Sequence, residues 1–182
     1  MDLLDIKKNI SELKIDYTIS VKEYDQSLPI DKRSAVRGIV LQGRKILVVH
    51  TERDGLYGTP GGGIEDGETL LETLKRELYE EVGALSLSNI EYLGKIIETR
   101  PGMNQNAIFN PTMNYFYAEV TEFGEQHLIE YEKELNLQCS FVDIDEAIET
   151  NDRILSNGEF DYQWFYMFQT EIFKIIKSLF DL

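Results

Sequence analysis

The chain has 182 residues, 42% of them hydrophobic, and a formal net charge of -15 at pH 7. A chain of this length can bury one good core, which predicts a single domain with terminal extensions. The acidic balance argues against a duplex or RNA polymer as partner, because binding to phosphate backbones depends on basic patches. A small anionic substrate stays compatible with this charge if metal ions screen it.

The single cysteine, Cys139, excludes an internal disulfide and suits a reducing compartment. We interpret it as a small buried hydrophobe on a strand.

Residues 1–33 are predicted to form an N-terminal extension with one short helix and one strand. The helix is predicted from apolar residues at helical spacing, namely Leu3, Ile6, Ile10 and Leu13. The strand is predicted from alternating residues, namely Tyr17, Ile19 and Val21. Charged residues near the N-terminus interrupt any signal-peptide core, and no stretch reaches the roughly 18 apolar residues of a membrane span. We therefore expect a cytoplasmic protein without membrane contact.

Residues 36–41 and 45–51 favour β-strands, and Gln42-Gly43-Arg44 lies between them. This arrangement predicts a β-hairpin. The basic side chains around this hairpin that could reach a substrate are Arg33, Arg37, Arg44 and Lys45. Among them, Arg37 is a candidate substrate-binding residue.

Residues 58–84, GTPGGGIEDGETLLETLKRELYEEVGA, combine a glycine-rich turn with an amphipathic helix. Thr69 can cap a helix that runs to about Val82, and Gly83 can end it. The predicted buried stripe of this helix consists of Leu71, Leu74, Leu78 and Val82.

Three glutamates of this helix, Glu77, Glu80 and Glu81, stand at i, i+3 and i+4 and therefore lie close together beside the stripe. Like charges near the C-terminal end of a helix repel one another and raise carboxylate pKa values. A bound Mg²⁺ or Mn²⁺ reverses that cost, because hard cations prefer carboxylate oxygen. A solvated acidic face is the simpler interpretation of a glutamate-rich helix. It does not explain the run from Pro60 to Gly63, which lets backbone groups approach ions and phosphates.

This segment resembles the signature of the Nudix hydrolase family, the MutT-like pyrophosphohydrolases. The matching positions are Gly62, Glu68, Arg76, Glu77, Leu78, Glu80, Glu81 and Gly83. Ala84 departs from the larger aliphatic residue of the family pattern, which concerns packing behind the helix and not the metal ligands. The resemblance covers roughly residues 34–150 and implies an α/β fold, a Nudix-type α/β/α sandwich with a mixed β-sheet. We place the Nudix hydrolase domain at residues 34–155.

The resemblance also implies which residues hold the metal. The implied metal ligands and catalytic residues are Glu77, Glu80 and Glu81, with the carbonyl of Gly61 as a backbone ligand. Family members often supply a further metal-binding or base-activating glutamate from the region of residues 121–136. Glu130 and Glu132 lie nearest to the expected place, and no motif chooses between them.

The remaining signature residues are implied to be structural, namely Gly62, Glu68, Arg76 and Gly83. Glu68 and Arg76 are implied to form an ion pair that ties the loop to the helix, a role for which the planar guanidinium of arginine is suited.

After the signature helix, strands are predicted at residues 92–99, 114–120 and 139–142, and a short helix near residues 145–149. Residues 100–112 are predicted to form a loop between two strands that contributes to a substrate pocket. In this pocket Arg100 could bind phosphate and Phe109 could stack on a base or sugar ring. A plain hairpin loop is the alternative, and the sequence leaves both open.

Residues 156–182 are predicted to contain a C-terminal amphipathic helix. Its apolar residues at helical spacing are Trp164, Phe165, Phe168, Ile172, Ile175, Ile176 and Leu179. Such a stripe packs on the domain of its own subunit or forms a dimer interface, so that a homodimer stays open.

These features predict metal-assisted hydrolysis of a diphosphate linkage. The substrate class implied by the resemblance is a nucleoside diphosphate linked to another group, such as a nucleoside triphosphate, a nucleotide sugar or a dinucleotide polyphosphate. The alternative is a Nudix domain that senses a nucleotide or binds a partner without turnover. A calcium-binding structural module is disfavoured, because no alternating Asp and Asn pattern surrounds Gly62.

Overall fold

The fold was obtained as a computed structural model, which describes residues 4–9, 11–53, 55–102, 106–157 and 163–182. In chain order the elements are β1 (Leu4–Lys8), β2 (Ile15–Val21), β3 (Ile30–Ile39), β4 (Leu41–Gln42), β5 (Lys45–Thr51), α1 (Leu70–Val82), β6 (Ala84–Pro101), β7 (Ile108–Phe123), α2 (Glu130–Glu134), β8 (Leu137–Asp143), α3 (Ile144–Ser156) and α4 (Gln163–Leu179).

The strands form two sheets. The larger sheet has the order β1-β2-β6-β7-β3, and the smaller one has the order β4-β5-β8. In the larger sheet β3 pairs parallel with β7 and β2 pairs parallel with β6, whereas the β1/β2 and β6/β7 pairs are antiparallel. The predicted mixed sheet of an α/β fold is therefore confirmed.

Two hydrophobic clusters hold the layers together. One cluster joins the larger sheet to α3, α4 and the smaller sheet, and the other joins both sheets to α1. Alternation along the strands feeds both clusters, because successive side chains of a strand point to opposite faces. On β5, for example, Ile46 and Val48 belong to the first cluster and Leu47 to the second. Helices thus cover the sheets from both sides, as in the predicted α/β/α sandwich.

The predicted N-terminal helix is wrong, because the structure has strand β1 at Leu4–Lys8. This strand pairs antiparallel with β2, with Ile6 opposite Ile19. Asn9 closes the hairpin by donating its backbone N–H to Asp16 O at 2.7 Å and its side-chain amide to Asp16 Oδ1 at 2.9 Å. Pairing with a neighbouring strand outweighs a weak helical periodicity. The predicted strand around Ile19 is confirmed as β2, which joins β1 to the larger sheet through its parallel pairing with β6.

The predicted hairpin is confirmed, but its first arm is divided between the sheets. β3 ends at Ile39 in the larger sheet, and β4 then pairs with β5 in the smaller sheet. The proposed boundary at residue 33 falls inside β3. The later predicted strands are confirmed as parts of β6, β7 and β8, and the predicted short helix is confirmed as the longer α3, capped by the Asp143 side chain.

The prediction of a loop over residues 100–112 is wrong. β6 continues to Pro101 and β7 begins at Ile108, so that most of this segment is strand, and residues 103–105 lie outside the described ranges. Turn-forming residues indicated a loop, yet parallel pairing with β3, from Ile30 opposite Ile108 onward, holds the start of β7 extended. Arg100 and Phe109 are consequently paired residues on two adjacent strands.

The predicted C-terminal helix is confirmed as α4. Phe168, Ile172, Phe173 and Ile176 are fully buried in the first cluster, so the stripe is core contact within the subunit. A homodimer stays a prediction. None of the helices that the structure describes has the length and apolar character needed to cross a membrane. Cys139 lies half-buried on β8, as expected for a small hydrophobe on a strand.

Candidate metal centre

Helix α1 carries the centre, and its limits follow from its caps. Thr69 and Glu72 form a capping box, in which Thr69 N–H donates to Glu72 Oε2 at 2.8 Å. Gly83 ends the helix with φ 70°, a conformation that favours glycine. The predicted helix is confirmed, and its buried stripe comprises Leu74, Leu78 and Val82. Leu71 was wrongly predicted to belong to this stripe, since it is 40% exposed and Leu70 packs on the core in the first turn.

Three carboxylates converge beside this helix. Glu77, Glu81 and Glu132 each offer an oxygen, and these oxygens lie within 4.8 Å of one another. Glu77 and Glu81 come from the buried side of α1, and Glu132 comes from α2. Glu80 lies outside this trio and accepts a hydrogen bond from Arg76 Nη1 at 3.1 Å. Of the two glutamates that the sequence could not separate, the geometry thus favours Glu132 over Glu130.

The glycine-rich loop lies against these carboxylates because its backbone leaves no room for side chains. A Cβ at Gly62 would collide with the Glu77 carboxylate. Gly61 has φ 131°, and its N–H donates to Glu81 Oε2 at 2.6 Å. The loop is fixed to β3, where Val36 N–H donates to Gly62 O at 2.9 Å. Glycine is required at 61 and 62 for this approach.

Arg76 connects the loop to the helix. Its guanidinium donates to both oxygens of Glu68, at 2.7 and 3.0 Å, and to Gly63 O at 3.0 Å. It also donates to Glu77 Oε1 at 2.8 Å. The hydrogen bonds from Arg76 hold the pKa of Glu68 at about 2. The ion pair that the family resemblance implied is therefore present, in bidentate form.

Burial shapes the electrostatics of the trio. It raises the pKa of Glu81 to about 8, against the opposing effects of the Arg37 charge and the Gly61 N–H, while Glu77 and Glu132 raise it further. Burial also raises the pKa values of Glu77 and Glu132. An all-oxygen donor set of crowded acids is a good match for a hard divalent cation, whose charge would stabilise the ionised carboxylates. These residues could therefore hold such a cation.

A short connection after β7 delivers Glu132. Gly124 N–H donates to Gly83 O at 2.7 Å, His127 N–H donates to Glu80 O at 2.8 Å, and the Gln126 amide donates to Glu81 O. These bonds satisfy backbone carbonyls at the end of α1 that lack a partner within the helix. Sequence reasoning missed Gln126 and His127, because only the docked connection reveals what they contact.

Arg37 reaches the same loop from β3. Its Nη1 donates to Thr59 O at 3.2 Å and to Gly61 O. Its guanidinium lies 5.3 Å from the centre of the Phe165 ring. Gln169 of α4 accepts hydrogen bonds from the Thr59 N–H and hydroxyl, both at 2.9 Å. The C-terminal helix therefore supports the loop, a contribution that the sequence pattern did not indicate.

The other predicted substrate-binding residues lie apart from the trio. Arg100 stands 4.4 Å from the Phe109 ring centre, and both residues line a cavity of about 300 Å³ together with Arg33. Behind Arg100 lies Glu98, fully buried on β6, with neither carboxylate oxygen hydrogen-bonded to any described residue. Glu98 was not singled out from the sequence, because no motif includes it.

Glu98 makes stability depend on pH. Burial raises its pKa from 4.5 to about 7, with Arg100 and Arg37 opposing this shift. The protonated carboxyl makes its full contribution to the free energy of unfolding below about pH 4.5, and this contribution is lost as the pH rises through about 7. Glu98→Gln should remove this dependence, so that wild type loses roughly 2 to 3 kcal/mol relative to the variant between about pH 5 and pH 8.

Urea denaturation of both proteins at the two pH values measures this difference, and other titrating groups cancel in the comparison. Glu122→Gln, a change at an exposed position, is the control and should follow wild type. If the difference in free energy of unfolding between wild type and Glu98→Gln were the same at both pH values, the prediction would be contradicted.

A sequence model of the NUDIX domain matches residues 31–164 of the chain. Among solved structures, the fold is similar to a NUDIX hydrolase from Nitrosomonas europaea, with a TM-score of 0.52 and 20% sequence identity over 68% of this chain and 80% of that one. This likeness concerns the fold alone.

Curated relatives match over a shorter stretch. An RNA pyrophosphohydrolase of Brucella anthropi is 47% identical over 57 residues, which are 30% of this chain and 33% of that protein. One from Rhizobium meliloti is 46% identical over 55 residues, 29% of this chain and 33% of that protein. The chain thus spans about a third of the length of the curated relatives it matches. Since the domain match extends over most of the chain and agrees with the fold and the signature geometry, the chain belongs to the NUDIX domain family.

Proposed function

We propose that this protein is a divalent-metal-dependent hydrolase that cleaves a diphosphate linkage in a nucleoside diphosphate joined to another group. The observation that carries the proposal is the trio of Glu77, Glu81 and Glu132, whose oxygens lie within 4.8 Å of one another beside a loop of glycines. Carboxylate oxygen is what Mg²⁺ and Mn²⁺ prefer, and exposed backbone at glycines admits phosphate.

In this proposal Glu77, Glu81 and Glu132 hold the cation, with Glu80 and the Gly61 carbonyl as further candidate ligands. When bound, Mg²⁺ or Mn²⁺ supplies Lewis-acid stabilisation of charge on the phosphate oxygens. Glu132 is half-buried and accepts the Ile129 N–H at 2.9 Å through Oε2, which leaves Oε1 either to bind the cation or to take a proton from the attacking water.

The arginines keep this arrangement in place. Arg76 holds Glu77 while also binding Glu68 and Gly63 O, so the loop and α1 keep a constant separation. Arg37 donates a hydrogen bond to the Gly61 carbonyl. Fixed positions of this kind reduce the reorganisation needed when charge develops on phosphate.

The names of the relatives support diphosphate chemistry, since the proteins that match a stretch of 55 to 57 residues of this chain are named RNA pyrophosphohydrolases. The formal charge of -15 favours a small nucleotide over a nucleic-acid polymer as substrate. We accordingly propose a small-molecule diphosphate substrate and a cytoplasmic site of action.

Hydrolysis should depend fully on added metal. Purified protein with Mg²⁺ or Mn²⁺ is expected to cleave at least one member of a panel of nucleoside triphosphates, nucleotide sugars and dinucleotide polyphosphates, and to release phosphate or pyrophosphate from the first class and two phosphate esters from the other two. Excess chelator should abolish the release, because crowded carboxylates alone cannot neutralise phosphate charge. Free phosphate is measured colorimetrically, after pyrophosphatase for the nucleoside triphosphates and after alkaline phosphatase for the other two classes, whose terminal phosphates become accessible only on cleavage.

Restoration of activity by excess Mg²⁺ after chelation is the control for damage to the protein. A wild-type protein that binds a nucleotide tightly but hydrolyses no member of the panel would instead favour a sensing domain.

A further inference from the structure

A cavity of about 300 Å³ opens at the end of the larger sheet, where β3 and β7 begin and β6 ends. Its lining includes Arg33, Arg100 and Phe109, together with the side chains of Asp31 and Asn106. None of these lining residues belongs to the carboxylate trio. The cavity therefore has a chemistry of its own that the cleavage site does not use.

Arg100 is mostly buried, and its ion pair with Glu98 is a long one. Its side chain is 12% exposed, and its Nε is buried without a hydrogen bond to any described residue. The oxygen of Glu98 closest to it lies 3.7 Å from that Nε, beyond hydrogen-bonding distance. This long ion pair offsets the desolvation of the Arg100 charge only in part, and an anion in the cavity can bind the guanidinium nitrogens other than the buried Nε.

A second guanidinium completes the binding surface. The Arg33 Cζ lies 5.8 Å from the centre of the Phe109 ring, and the Arg100 Cζ lies 4.4 Å from the same centre. Arg33 Nε contacts Asp31 at 3.2 Å, which fixes its position at the cavity. Guanidinium groups match phosphate oxygens by forked hydrogen bonds. The lining has two arginines against one aspartate, Asp31, so it carries a small excess of positive charge in a chain with 33 acidic and 18 basic residues.

The separation from the cleavage site limits what part of a substrate can reach this cavity. Val36 N–H binds Gly62 O in the glycine loop, and Arg33 precedes Val36 by three residues on the same strand. At about 3.3 Å per residue, this places Arg33 roughly 10 Å along the strand from the residue that binds Gly62, while Gly63 pairs with Ala35, two residues from Arg33. A group held there is remote from the diphosphate that is cleaved but within the length of one nucleotide.

We propose that the cavity formed by Arg33, Arg100 and Phe109 binds a second phosphate group of the substrate, carried by the nucleotide at a point remote from the cleaved diphosphate. This inference deepens the proposed function and rests on it for the location of the cleaved linkage. The second phosphate can be a monoester on a small nucleotide or the first phosphodiester of an oligonucleotide, since both present oxygens to the two guanidinium groups.

Binding of two compounds that differ by one phosphate tests this proposal without turnover. Adenosine 5′-monophosphate and adenosine 3′,5′-bisphosphate are titrated into the full chain with Mg²⁺ in a calorimeter. Wild type should bind the bisphosphate at least about tenfold more tightly, as expected for new charge-assisted hydrogen bonds. Arg100→Gln should bind the two compounds with similar affinity. Arg44→Gln is the matched control, because Arg44 is an exposed arginine that pairs with Asp145 and does not line the cavity.

The proposal would be overturned if wild type bound the monophosphate and the bisphosphate with similar affinity, or if Arg100→Gln kept the preference of wild type for the bisphosphate. If Arg100→Gln melts early, Arg33→Gln provides the same test, because Arg33 is largely exposed and its loss leaves the core intact. The dinucleotide pApA separates the two sources of phosphate. Binding of pApA as tight as that of the bisphosphate indicates a phosphodiester, and weaker binding indicates a monoester.

The outcome is independent of whether the chain hydrolyses diphosphates. Hydrolysis of members of the nucleotide panel with no preference for the bisphosphate would contradict the second-phosphate site and support the proposed function. A bisphosphate preference with no hydrolysis under any metal condition would support the second-phosphate site and contradict the proposed function.

Discussion

Glu81→Gln is expected to lower kcat by about a hundredfold or more, the usual scale for loss of a metal ligand or base. Glu81 is buried, accepts the Gly61 N–H at 2.6 Å and faces Glu77 and Glu132. Glutamine can still accept that hydrogen bond, so the loop keeps its conformation. The amide removes the charge that a divalent cation needs, and this loss accounts for the expected fall in rate.

Steady-state hydrolysis of whichever panel member wild type cleaves, measured at saturating Mg²⁺, provides the comparison. Thermal melting must show that the variant is folded, and we expect it to melt no lower than wild type, because the substitution removes a buried acid beside other acids. Glu146→Gln, at an exposed position on α3, is the control. Retention of activity within about threefold of wild type would refute a metal-binding role for Glu81.

Glu132→Gln is expected to reduce kcat by about a hundredfold or more, whereas Glu130→Gln should leave it unchanged. The two residues lie two positions apart on α2, and glutamine at 132 can still accept the Ile129 N–H, so that both variants keep the start of the helix. Only Glu132 belongs to the carboxylate trio, and Glu130 is exposed. The pair therefore separates a role in the centre from a general effect of removing acid from this helix.

The dependence of rate on Mg²⁺ concentration refines this comparison. If Glu132 is a metal ligand, Glu132→Gln should need more Mg²⁺ for half-maximal activity. If Glu132 acts only as a base, the Mg²⁺ concentration for half-maximal activity should equal that of wild type. Equal rates for the two variants would show that α2 contributes no residue to the reaction.

Most of the signature could be predicted because it is local. A helical period places Glu77 and Glu81 on one side of α1 whatever the rest of the chain does, and Thr69 and Gly83 mark its ends. The need for glycine at 61 and 62 follows from the same short stretch, where backbone and carboxylate meet. Within this stretch, only the position of Leu71 was predicted wrongly.

The third carboxylate shows where local reasoning ends. Glu130 and Glu132 have similar sequence surroundings, and the choice between them depends on how the connection after β7 docks on α1. That docking is made by Gln126, His127 and Gly124 through hydrogen bonds to backbone carbonyls. Such contacts join residues about forty positions apart in the chain, for example the Gln126 amide and Glu81 O with a separation of 45, and no periodicity encodes them.

Strand pairing accounts for the two larger errors. The apolar side chains of residues 3–13 have a helix-like spacing, but residues 4–8 within this segment form β1 because β2 offers a partner. The start of β7 contains residues typical of turns but stays extended because β3 runs parallel beside it. In both cases hydrogen bonds to a distant or neighbouring strand outweigh small intrinsic preferences.

By itself, the sequence determined the signature helix α1 with its neighbouring carboxylates, its glycine loop and the α/β class, because these depend on spacing within a few turns of chain. Only the tertiary structure decided that Glu132 joins Glu77 and Glu81, and that Arg33 and Arg100 meet around Phe109. The physical reason is that these groups come from separate elements, and their distances are set by sheet register and loop docking, which depend on the packing of the whole domain.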